Sequence, residues 1–129
     1  MGAFSATVTS NKMLDWLTGV ASPSAAATRY LSIWNGDPQG AGSEVINTIT
    51  GSATRPSVSF GAAAAGSSAS NADVTFTTNA VGSATVNYVA IHTAATAGSV
   101  MASCAVTSKT ITAGDSLKIL SGNATVSIA

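Results

Sequence analysis

A chain of 129 residues can bury one real core but is too short for two ordinary domains, so a single domain over 1–129 is expected. Five basic and five acidic side chains cancel, which disfavours nucleic-acid binding by counterion release. Only 8% of residues are charged, about a third of the usual share, and so charge-poor a surface is expected to meet other protein.

The opening "MGAFSATVTS" reads as a polar arm with Phe4 as its one anchor. It lacks the charged start and apolar run of a signal peptide, and no run in the chain approaches the ~20 apolar residues of a membrane span. A soluble protein made in the cytoplasm, with no membrane partner, is the expectation. Next, "SNKMLDWLTG" places Met13, Leu14, Trp16 and Leu17 at helical spacing, with Ser10 able to cap the start and Gly19 able to end it. Residues 1–20 are thus an arm and a short amphipathic helix. The helix either plugs one end of the domain's own core, with Trp16 and Leu17 on the sheet, or docks on a neighbouring subunit. In the second case Phe4, Met13, Leu14, Trp16 and Leu17 form the candidate interface.

After the loop "ASPSAAAT" the period changes to that of strands: "RYLSIW", "SVSF", "DVTFT", "ATVNYVAIHT", "SVMASCAVT", "DSLKIL" and "ATVSIA". Val89 and Ile91 share a face, as do Val100, Ala102, Cys104 and Val106, and again Ala124, Val126 and Ile128. Seven or more short strands predict an all-β fold, an antiparallel sandwich or jelly roll. Between the strands, "GAAAAGSSASNAD" reads as a flexible surface loop.

The most unusual stretch is "YLSIWNGDPQGAGSE", residues 30–44. Asp37 and Glu44 lack the further oxygens that calcium requires, and the five scattered acids offer no glycosidase pair. The stretch therefore predicts a turn in which Asp37-Pro38 bends the chain, Gly40 and Gly42 permit positive φ, and Glu44 marks the return. Gly61 and Gly66 have the spacing of a phosphate loop, but Ser67 stands where that loop needs lysine and a strand follows. His92, the lone histidine, lies opposite Val89 and Ile91 without a nucleophile motif, which suits a surface or interface position. Cys104 fits a small core residue, and a single cysteine forms no internal disulfide. The residues thus point to no catalytic site, cofactor or metal. Trp34, Tyr88 and Tyr30 are the aromatics from which a glycan-binding patch could be built.

The order of these segments is itself distinctive. A short helix precedes "YLSIWNGDPQGAGSE", then "TRPSVSF", "ADVTF", "VNYVAIHTAATAGSVMASCAV" and "ITAGDSLKILSGNATVSI". Over nearly the whole chain this resembles a group of small tailed-bacteriophage virion proteins labelled head decoration, minor tail or tail fibre proteins. The resemblance implies a non-enzymatic structural protein of the virion, first of all a decoration (cement) protein on the outer capsid surface. Its implied partners are the major capsid protein and copies of itself, or alternatively tail proteins or a host-surface glycan.

Overall fold

The computed structural model describes residues 3–22 and 26–127. Ile128, expected to share a face with Ala124 and Val126, lies outside the described residues, as do Met1 and Gly2 of the arm and residues 23–25 of the first loop.

The fold is an all-β sandwich of antiparallel strands. One layer is a sheet in the order β1 (Ala3–Phe4), β8 (Val100–Ile111), β7 (Ala84–His92), β2 (Arg29–Asn35) and β3 (Ser43–Glu44), with β4 (Ser57–Val58) also pairing β2. The facing layer consists of two ladders, β5 (Ser67–Ala69) with β10 (Thr125–Ser127), and β6 (Val74–Thr77) with β9 (Leu117–Ile119). Register explains the core: Leu31 pairs with Ile91 and Ile33 with Val89, so the apolar alternation of β2 and β7 falls on one face. Those side chains pack against Val74, Phe76, Leu117 and Ile119 of the facing layer.

A helix does close one end of the sandwich, but it is not the N-terminal one. α2 (Ile46–Thr50) puts Ile46 and Ile49, both fully buried, against Ile33, Val86 and Ile111, and Gly51 ends it at φ 76°. No residue of α1 (Asn11–Leu17) is buried. The expectation that Trp16 and Leu17 cover the protein's own sheet is therefore corrected: both are exposed, and the helix that packs on the core is α2.

Three local expectations change as well. Gly40 and Gly42 are not at positive φ; Gly36 is, at 90°. Gly42 is needed for another reason, since a Cβ there would stand 2.4 Å from the Gly36 carbonyl. The stretch taken for a flexible loop forms a tight turn in which Ala64 and Ser67 exchange backbone hydrogen bonds, with Ala65 and Gly66 at positive φ, and then continues into β5. Finally, a bulge at Met101 sets Val100 opposite His92, while Ala102 stays opposite Ile91. Val100 thereby leaves the face it was expected to share with Ala102 and Cys104.

Candidate interface

The N-terminal segment is anchored at one end and exposed at the other. β1 pairs with β8 through Ala3 opposite Ser103 and Phe4 opposite Ala102. The carbonyl freed at the Met101 bulge accepts from the Ser5 backbone N–H at 2.8 Å and from Thr9 Oγ1 at 2.7 Å. From Ser5 the chain enters a π-helical turn, Ala6–Ser10, that runs straight into α1. The cap is consequently Ser5, whose Oγ accepts from Val8 N, and the expected cap Ser10 makes no such bond. Gly19, at φ 78°, ends the helix as expected.

Of the five expected interface residues, Phe4 and Met13 are half-buried. Leu14, Trp16 and Leu17 are 55%, 60% and 75% exposed, and Val20, which the helical spacing did not reach, is as open as Leu17. Scattered apolar side chains on a surface are ordinary, but an indole, two leucines and a valine within seven residues make a patch of the kind that marks a contact. Burying each against a partner would contribute about 1.5–3 kcal/mol.

The other face of the large sheet holds a polar layer that the sequence reading did not assemble. Tyr30, Ser32 and Trp34 of β2 stand opposite His92, Ala90 and Tyr88 of β7. Trp34 Nε1 donates to Ser32 Oγ at 2.6 Å, and its ring stacks on His92 with centroids 6.0 Å apart. The aromatics considered for a glycan patch do share one face, but Trp34 spends its donor inside the protein and all three are half-buried. Glu44, level with Trp34 on β3, accepts both arms of a fork from Arg55: Nε at 2.7 Å and Nη2 at 2.9 Å. Arg55 Nη1 also donates to the Ala94 and Ala97 carbonyls at 3.0 and 2.7 Å, which fastens the loop between β7 and β8. Gln39, on the turn after β2, reaches the Ala3 carbonyl and Ser103 Oγ at the sheet's far edge.

His92 lies inside this layer at 3% exposure, not at the surface or interface position that was expected. Neither ring nitrogen has a hydrogen-bond partner among the described residues. Burial, and secondarily the Arg55 cation, lower its pKa to about 4, while Glu44 pulls weakly the other way. No hydroxyl or thiol is hydrogen-bonded to it among the described residues, so His92 is not paired with a nucleophile there. They also contain no cluster of three or more side chains suited to a metal ion.

The sequence model of a phage family, described as Podophage GP4 fiber I protein gp80, matches residues 3–127, nearly the whole chain. The chain belongs to this gp80 fibre family. The resemblance read from the order of strands and turns is borne out at that level: the protein is a structural component of a tailed-phage virion, and the virion is where it resides. Comparison with curated proteins gives no match.

Proposed function

We propose that this member of the gp80 family is a peripheral virion subunit, structural and not enzymatic, held in place by its N-terminal helix. The observation that carries this reading is the open face of Leu14, Trp16 and Leu17, on a helix whose base is tied to β8 and whose apolar side the sandwich core leaves free. A rigid arm presenting an indole suits attachment, because buried aromatic anchors dominate most interfaces. In its first form the partner is the major capsid protein and the role is decoration. Many copies on the outer head would then reinforce the shell through repeated modest contacts, with further contacts between copies. In its second form the subunit belongs to a tail fibre, a reading compatible with the fibre protein for which the matched family is named.

Cryo-electron microscopy of the virion separates the two forms. Density for the domain at equivalent head positions supports decoration, and density confined to the tail supports the fibre. The docking element has its own test. Trp16→Ala combined with Leu17→Ala is expected to shift unfolding free energy by no more than about 0.5 kcal/mol, as for other surface changes. The same pair should weaken rebinding to virions stripped of the protein by about 30-fold or more, the effect of losing a hot spot worth ~2 kcal/mol. Unchanged rebinding would remove the helix from the contact.

A further inference from the structure

The turn after β2 begins with the chain's only Asn-Gly pair, Asn35-Gly36. Such a pair closes readily to a succinimide, because glycine has no Cβ to shield its nitrogen from the asparagine side chain. The fold cannot dispense with this glycine. Gly36 sits at φ 90°, and a Cβ there would stand 2.8 Å from the Gly42 Cα. Asn35 is exposed, so water reaches the bond at risk. Asn87 is placed to meet that hazard. The ladder between β2 and β7 ends at Trp34 opposite Tyr88, and one step further along both strands Asn87 faces Asn35. There the Gly36 N–H donates to Asn87 Oδ1 at 2.7 Å, and Asn87 Nδ2 donates to Asn35 Oδ1 at 3.3 Å. A backbone N–H can only donate, so the Asn87 oxygen must face it and the amide nitrogen is left for Asn35. One side chain thereby holds both groups that a succinimide would join. On its other side Asn35 pairs with Ser43 of β3, which keeps its backbone extended.

We propose that Asn35-Gly36 is a latent deamidation site and that the Asn87 side chain keeps it closed. In the reaction, hydroxide takes the proton from Gly36 N, and the nitrogen lone pair attacks Asn35 Cγ. The new C–N bond closes the ring as the Cγ–Nδ2 bond breaks and ammonia leaves. Water then opens one ring carbonyl to give aspartate, or the other to give isoaspartate, whose main chain runs through the former side chain. In the folded protein the first step is opposed, since the proton to be lost sits in a short hydrogen bond directed at Asn87. The bond to Asn35 Oδ1 polarises the carbonyl and so favours attack, but at 3.3 Å it is the weaker of the two. Failure of the lock would reach beyond the turn. Isoaspartate adds a main-chain methylene opposite Ser43, and the next residue, Glu44, is the partner of Arg55.

Mass spectrometry of the peptide carrying Asn35 reads the replacement of NH2 by OH after the full chain is held warm in mildly alkaline buffer. The folded parent is expected to keep its amide while the parent unfolded in urea loses it. Asn87→Ala, shown to be folded by its melting transition, should deamidate about ten-fold faster than the folded parent, the factor for ~1.4 kcal/mol, close to the net worth of one hydrogen bond. Asn87→Leu, which fills the space without an acceptor, carries the same test should Asn87→Ala fail to fold. Asn87→Asp should stay slow, because its carboxylate still accepts from Gly36 N and its charge opposes loss of that proton. Asn35→Gln should remove the signal, since the longer side chain closes its larger ring slowly. A folded parent that deamidates as fast as the urea-unfolded chain overturns the proposal. So does a folded Asn87→Ala or Asn87→Leu protein no faster than the parent. Equal acceleration in Asn87→Asp would mean general loosening of the strand end and would remove Asn87 from its role.

Discussion

Arg55→Ala is expected to lower the unfolding free energy by about 3–5 kcal/mol, the cost of breaking a buried ion pair from one side. The guanidinium is 7% exposed and the Glu44 side chain 21%, so water can solvate neither freely once its partner is gone. The loss is broader than the pair. Two carbonyls of the loop between β7 and β8, those of Ala94 and Ala97, lose their charged donor along with Glu44. Arg55→Lys should recover only part, because an ammonium is a point charge and cannot fork to a carboxylate while donating to two carbonyls. Arg55→Met with Glu44→Leu should be less damaging than Arg55→Ala, since it removes both charges and leaves none buried alone. Urea unfolding of the four proteins measures these differences. A loss below about 1 kcal/mol for Arg55→Ala would place the pair with exposed salt bridges and remove its claim to hold the loop.

The sandwich was legible wherever one face of a strand is apolar. β2, β6 and β7 alternate clearly because one side of each meets the core, and their positions follow from that period. α2 was not legible: "INTIT" is five residues, rich in β-branched side chains, and only packing of Ile46 and Ile49 under β2 makes it a helix. β5 was hidden by low complexity, since Ser and Ala give no alternation and its identity comes from pairing with β10. For the candidate interface, the spacing of Met13, Leu14, Trp16 and Leu17 located the apolar helix correctly but could not say whether the domain or a partner covers it. That depends on what else fills the core. The polar layer around Arg55 needed contacts between positions 11 and 39 residues apart in the chain, for which a single sequence offers no signal. A hint was nonetheless present. The strands carrying Leu31, Ile33, Val89 and Ile91 also place Ser32, Trp34, Ala90 and His92 on their opposite side, where charged residues would be usual for an open sheet face.

His92 gives the layer a pH dependence of defined sign. In the unfolded chain the imidazole takes a proton near its ordinary 6.5, but in the folded protein only near 4. Burial opposes the charge first, and the Arg55 cation second. Between these values the unfolded state binds more protons, so stability rises with pH across that window. The contribution is fully present above pH 6.5, declines as pH falls from 6.5 to 4, and levels off below. Its full span is about 3 kcal/mol, from ~1.4 kcal/mol for each unit of pKa difference. His92→Phe isolates it, because phenylalanine keeps the stack on Trp34 and cannot titrate. At pH 7 the variant should be nearly as stable as the parent, since neither ring nitrogen has a hydrogen bond to lose among the described residues. At pH 4 it should be the more stable of the two, and the difference in melting temperature between them should open steadily from pH 6.5 downward. The carboxylates titrate in both proteins and cancel in that difference. Parallel melting profiles for parent and variant from pH 7 to 4 would mean that His92 reaches water on protonation, and that the layer around Arg55 yields to it without cost.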